Sequence, residues 1–204
     1  MFDRWTSRLV KKPLDLVALR LKRLGCRPDQ ITFASFCIGI GVLPALYLEM
    51  YWLALVCILL NRLGDGLDGA LARMTGASDA GGFLDIVLDF IFYSLVVLGF
   101  AVASPEVNSL AAAFLLFSFV GTGSSFLAFA IMAEKRGIEN IVYPHKRIYY
   151  LTGLAEGTET FLFFILFCIF PTSFPLLASV FGFICLLTTL TRVIGGYLVL
   201  RTLG

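Results

Sequence analysis

Six stretches of the chain read as nearly unbroken apolar runs, at residues 31–49, 51–73, 81–104, 108–133, 149–171 and 174–201. Each comes close to the roughly 20 residues that a helix needs to cross a hydrocarbon core of about 30 Å. The connections are short, and no insert is long enough to build a core of its own. The pattern predicts an all-α integral membrane protein with a single domain over residues 1–204, in which a six-helix bundle fills 31–204. The second run departs from the others, because its later part reads "LNRLGDGLDG". Lipid would not accept that sequence, so this run spans only if its polar residues face a shared interior.

The first 30 residues follow a different pattern. "LDLVALRLKRLG" mixes leucines with basic residues, and Phe2 and Trp5 are suited to headgroup depth. This predicts an amphipathic helix lying on the cytoplasmic membrane surface, against the alternative of a flexible basic tail. Pro28 then separates it from the first span. The charged stretch is too long for a secretory signal, and no small-residue cleavage site follows, so the N-terminus is expected to be retained.

Composition and charge add the setting and the orientation. Hydrophobic residues make up 59% of the chain and the mean hydropathy is +0.91, a membrane protein's balance. Eight of the 16 Lys and Arg residues precede the first span, and Lys135, Arg136, Lys146 and Arg147 follow the fourth. The connections near residues 50, 105 and 172 carry none. Both termini and the loops near residues 77 and 140 are therefore expected in the cytoplasm, which agrees with six spans. The five cysteines form no C-x-x-C pair and read as reduced packing residues. His145 is the only histidine, which argues against a zinc site of His and Cys.

Against this apolar background, four aspartates stand out. At 100° per residue, Asp65, Asp68, Gly69 and Ala72 share one stripe of the second span, with Asn61 at its upstream end and Arg62 and Arg73 along one flank. In the third span Gly81, Asp85 and Asp89 recur at every fourth residue and so project from one side. The two stripes are able to face each other. Four unpaired aspartates within a membrane would cost on the order of 10 kcal/mol, which rivals the stability of a domain. With both arginines turned inward, the four carboxylates retain a charge of −2, and two hard divalent cations together with a doubly charged pyrophosphate neutralise it. Oxygen ligands with almost no histidine favour Mg²⁺ or Mn²⁺.

The run Asp65-x-x-Asp68-Gly69-x-x-Ala72-Arg73, followed by Gly81-x-x-x-Asp85-x-x-x-Asp89, resembles the signature of the CDP-alcohol phosphotransferases, integral membrane enzymes that join a CDP-activated group to an alcohol. One difference is the linker from Arg73 to Gly81, "MTGASDA", one residue shorter than is usual in that family. The resemblance implies that Asp65, Asp68 and Asp85 hold two divalent metals on the pyrophosphate, with Asp89 sharing ligation and acting as the base for the attacking hydroxyl. It also implies that Asp68, Gly69, Ala72, Arg73 and Gly81 bind the CDP part of the substrate, the small residues by letting cytidine lie against the helices. The chemistry agrees independently, since two metals suit an in-line displacement and a carboxylate suits general base work.

The acceptor alcohol is less legible. His145, Lys146 and Arg147 in "YPHKRIYY", with Glu156 and Glu159 in "GLAEGTET", are the candidates; the glutamates share a face and suit hydroxyls or an amine. Lys146, Arg147 or Arg192 suits an acceptor's phosphate. The leading expectation is a phosphatidyltransferase that uses CDP-diacylglycerol and a small alcohol in phospholipid biosynthesis. The alternatives are a CDP-amino-alcohol enzyme with a lipid acceptor such as diacylglycerol, and a non-enzymatic cation transporter. Against transport stands the absence of an inverted repeat or of paired broken helices. Membrane lipids are expected partners and nucleic acid is not; the resemblance implies a homodimer. A bacterial inner membrane is the expected location, with the active site towards the cytoplasm.

Overall fold

The computed structural model describes residues 3–137 and 153–202, and the side chains of 13–137 and 153–202. Every regular element among them is helical. In chain order these are α1 (Asp3–Arg23), α2 (Pro28–Ile40), α3 (Val42–Tyr47), α4 (Tyr51–Thr75), α5 (Asp79–Ala103), α6 (Pro105–Lys135), α7 (Gly157–Ile169) and α8 (Phe174–Thr202). A short 3-10 turn, Pro171–Ser173, joins the last two.

Four stretches are long and apolar enough to cross a membrane: Pro28–Tyr47, Asp79–Ala103, Pro105–Lys135 and Pro171–Thr202. Together with the composition they make this an integral membrane protein. The first is α2 and α3 taken together, broken at Gly41, where Pro44 removes the N–H that would have continued the ladder. Helix α4 has the length but carries Arg62, Asp65, Asp68 and Arg73 within its span. Helix α7 begins later than the apolar run does, at Gly157, and its 13 residues rise only about 20 Å. The cause is local, for Glu156 is extended and its N–H donates to Glu159 Oε2 at 3.2 Å, which fixes the helix start there.

Helix α1 lies against α4 along one face. Leu14 packs at Gly66, and Ala18 is buried with Ala70 and Leu71. Lys22 Nζ donates to the Met74 carbonyl at 2.6 Å, satisfying the open C-terminal end of α4. Leu16, Val17 and Leu19 are exposed, and the N-terminal helix is docked on α4.

The α4–α5 turn occupies only residues 76–78. Gly76 turns it with φ of 103°, and Ser78 caps α5 by accepting the Gly81 N–H at 3.0 Å. The core lies at the other end of these helices and is largely aromatic. Phe100 stacks on Phe174 at 4.7 Å, Phe163 stacks on Phe181 at 4.4 Å, and Phe167 meets Phe174 edge-on at 4.9 Å. Long helices α6 and α8 pack closely, with Gly182 against Phe114 and Gly121 against Thr189.

Candidate active site

Asp65 and Asp68 face across from α4 to Asp85 on α5, and one carboxylate oxygen of each lies within 4.8 Å of the other two. Asp89, one turn deeper on α5, lines the same cavity, as do Thr32 and Ser35 of α2 and Asn61 of α4. The shorter linker therefore leaves the register intact, since the capped three-residue turn still sets the two aspartate stripes face to face.

The surroundings hold these carboxylates individually. Thr32 Oγ1 donates to Asp68 Oδ2 at 2.5 Å, and Asp68 is itself only 5% exposed. Arg62 Nη1 forms an ion pair with Asp65 Oδ2, and its guanidinium lies over the Phe161 ring at 4.8 Å. The Tyr93 hydroxyl donates to Asp89 Oδ2 at 3.3 Å. Thr32, Ser35 and Tyr93 lie outside the aspartate motif. The signal for two of them was present in the sequence, because Thr32, Ser35 and Gly39 form a polar or small stripe at helical spacing in an otherwise apolar run.

Arg73 does not join the cluster. It sits about 140° around α4 from Asp68, and its Nη2 lies 3.9 Å from Asp15 Oδ1 on α1. Of the two arginines, Arg62 alone pairs with a carboxylate of the cluster among the described residues. The four carboxylates retain −3, which two divalent ions and a pyrophosphate bring to −1. Gly69 leaves open surface beside Asp68, since a methyl group there would meet only Arg73 Nη1 at 3.6 Å; Ala72 next to it is half-buried. At Gly81 the space is filled, because a methyl group would stand 2.8 Å from Asp29 Oδ1 on α2.

Of the expected acceptor residues, His145, Lys146 and Arg147 lie outside the described residues. Glu156 and Glu159 are half-buried at the start of α7, where Glu156 Oε1 accepts the Gly153 N–H at 3.3 Å. Arg192 on α8 is 8% exposed, donates to the Thr122 carbonyl at 3.2 Å and packs beside Phe126.

An all-oxygen group of carboxylates at this spacing is able to hold a divalent ion, and the membrane-embedded charge it leaves is of the sign that an ion neutralises. The family model for CDP-alcohol phosphatidyltransferase matches residues 26–194, which contain all four aspartates. The chain belongs to that family. It is accordingly an enzyme, a transferase of substituted phosphate groups, and the transporter reading falls. The inner membrane protein YnjF of Escherichia coli (strain K12) is 55% identical over 203 residues, 100% of this chain and 98% of that one. The archaetidylinositol phosphate synthase of Pyrococcus horikoshii is 38% identical over 93 residues, 45% of this chain and 50% of that one.

The fold is shared with the phosphatidylinositol phosphate synthase PgsA1 of Mycobacterium tuberculosis. Its structure with CDP-DAG bound superposes with a TM-score of 0.66 at 16% identity, covering 90% of this chain and 93% of that one. Its complex with manganese and citrate gives 0.71 at 19% identity, covering 90% and 88%.

Proposed function

We propose that this protein is a phosphatidyltransferase of phospholipid biosynthesis, which moves the phosphatidyl group of CDP-diacylglycerol onto the hydroxyl of a small alcohol and releases CMP. The observation that carries this reading is the convergence of Asp65, Asp68, Asp85 and Asp89 on one cavity between α4 and α5. Two Mg²⁺ or Mn²⁺ ions bound there would stabilise the attacking and leaving oxygens of the displacement.

The chain's own residues divide the remaining tasks. Asp65, Asp68 and Asp85 would hold the ions, with Asp89 sharing in this. Asp89 also takes the proton of the acceptor hydroxyl as the new O–P bond forms and the bond to CMP breaks. Tyr93 steadies Asp89 by its hydrogen bond, and Thr32 steadies Asp68. Arg62 offsets one carboxylate charge. Asp68, Gly69 and Ala72 form the helix surface on which the cytidine lies, with Arg73 at its edge, while Gly81 lets Asp29 of α2 approach α5.

For the acceptor we rank a phosphorylated polyol first. Two relatives make inositol phosphate lipids by name, and Arg192 supplies a buried guanidinium for a phosphate. Lys146 and Arg147, with His145 beside them, are further candidates for the acceptor's phosphate. Glu156 and Glu159 serve the start of α7 and remain candidates for acceptor hydroxyls. The same proposal has six crossings, with α2 and α3 forming one and α4 and α7 joining the four apolar stretches. Both termini and the aspartate end face the cytoplasm of a bacterial inner membrane, and the active unit is a homodimer.

The test is CMP release by purified protein in detergent with CDP-diacylglycerol, Mg²⁺ or Mn²⁺, and a panel of glycerol 3-phosphate, inositol, inositol phosphate, serine and ethanolamine. Release with one acceptor, lost in Asp89→Asn, is expected. Release only from a CDP-linked amino alcohol with diacylglycerol as acceptor would overturn the donor assignment.

A further inference from the structure

Asn61 is not part of the aspartate motif, yet it lies one turn before Asp65 on α4 and lines the same cavity. It is 5% exposed. Its Nδ2 donates to the Ser35 carbonyl on α2 at 3.2 Å, and that contact fixes which way the amide points, because only the NH₂ group is able to face a carbonyl oxygen. The amide oxygen is thereby turned away from α2. Oδ1 is buried and has no hydrogen-bond partner in the protein, the one such side-chain atom among the described residues.

An orphaned buried acceptor is costly, so something normally meets it. The cavity that Asn61 lines is narrow, about 10 Å³, of the size of an ion or a water rather than of an organic group. Its walls are carboxylates, Thr32 and Ser35 hydroxyls, and this amide. The carboxylates and the amide oxygen are acceptors, and the amide's NH₂ is engaged by the Ser35 carbonyl, so acceptors dominate the walls and favour a cation. Amide carbonyls are regular ligands of hard divalent ions.

We propose that Asn61 is a fifth member of the divalent-cation site, its amide oxygen being held by Ser35 as a neutral ligand at the deep end of the aspartate pocket. This rests on the metal site of the proposed function and extends it to a residue outside the family motif. A neutral oxygen is well suited to that position: it adds a donor without adding to the −3 that the carboxylates and Arg62 leave. The Ser35 contact pre-orients the amide, in the way that outer hydrogen bonds orient metal ligands.

The experiment is a Mn²⁺ titration of the purified full-length protein in detergent, with free ion followed by electron paramagnetic resonance, beside metal-free thermal unfolding. Asn61→Leu keeps the size and removes the oxygen; Asn61→Asp keeps an oxygen and removes the donor to Ser35. The expected result is Mn²⁺ binding about 10–100-fold weaker in Asn61→Leu, with metal-free unfolding no worse than in the wild type, and binding in Asn61→Asp at least as tight as wild type. Unchanged Mn²⁺ affinity in Asn61→Leu would overturn the assignment of Asn61 alone. Should Asn61→Leu lose metal-free stability or fail to fold, Asn61→Asp decides: binding as tight as wild type supports the ligand role, and weaker binding overturns it. A wild type that binds no Mn²⁺ overturns the metal site of the proposed function, and the role of Asn61 with it.

Discussion

Helices α4 and α5 each have two halves built on opposite principles. In the first half of α4, Ala54 and Ile58 enter the apolar core, whereas the second half carries Asn61, Asp65 and Asp68 into the cavity. Helix α5 runs the other way, from Asp85 and Asp89 to Phe92, Val96 and Phe100. The helices run antiparallel and both pack against α2 and α3, so the like halves lie at the same end. Tyr93 sits at the seam, its ring edge-on to Phe161 and Phe164 and its hydroxyl on Asp89. The aromatic half brings packing with little charge; the aspartate half concentrates charge that only a ligand relieves. Close packing at one end thus holds repelling groups in register at the other, and function and stability are separated along the same two helices.

The largest effect that would sharpen this contrast is on catalysis. Asp89→Asn should lower CMP release by about 10²–10⁴-fold, the range for loss of a general base. In the same variant, metal-free unfolding should occur no earlier than in the wild type, because one of the mutually repelling carboxylates is gone. Loss of activity together with earlier metal-free unfolding would break the separation.

The reverse experiment is Phe100→Ala. Phe100 is fully buried among Tyr51, Phe167 and Phe174. Truncating such a ring should cost about 3–5 kcal/mol of stability, seen as a lower unfolding temperature in detergent. CMP release per folded molecule should remain within a fewfold of wild type. Next in size is removal of the divalent ion. With free ion at a hundred times its Kd, binding stabilises the folded state by about 2.7 kcal/mol, so chelation should lower the unfolding temperature of the wild type and have a smaller effect on Asp68→Asn. An equal response in both proteins would show that the ion does not depend on this pocket.

How much of this was legible in the sequence differs between the halves. The aspartate stripes were readable because period 3.6 places Asp65 with Asp68 and Asp85 with Asp89 whatever the surroundings. The start of α7 was not, since the apolar run continues through residues 153–156, which the Glu156 and Glu159 contacts keep out of the helix. Hydropathy also gave no sign of the Gly41 break, which depends on Pro44 acting one turn earlier. Partners across helices were the least readable. Thr32 on Asp68 and Asn61 on Ser35 join residues 36 and 26 positions apart, and periodicity fixes the face of a helix but not the neighbour it meets. Which aspartate Arg73 meets was hidden for a related reason, because Asp15 belongs to a helix whose docking on α4 the sequence did not predict.

That docked helix supplies the smallest expected effect. The Arg73–Asp15 pair spans 3.9 Å, with side chains 59% and 31% exposed. Exposed pairs contribute about 0–1 kcal/mol, whereas α1 is also held by Leu14 at Gly66, by buried Ala18 and by Lys22 on the end of α4. Asp15→Asn should therefore shift the unfolding temperature hardly at all, and less than a double change that also removes Lys22. A comparison of activities adds the sharper reading. With Asp15 neutral, Arg73 is released towards the surface left open by Gly69, next to the aspartates. If Arg73 binds substrate phosphate, Asp15→Asn should leave the KM for CDP-diacylglycerol unchanged or lower it, at unchanged kcat. A raised KM would instead assign Asp15 to positioning Arg73, and would extend the polar half of the molecule from α4 and α5 onto α1.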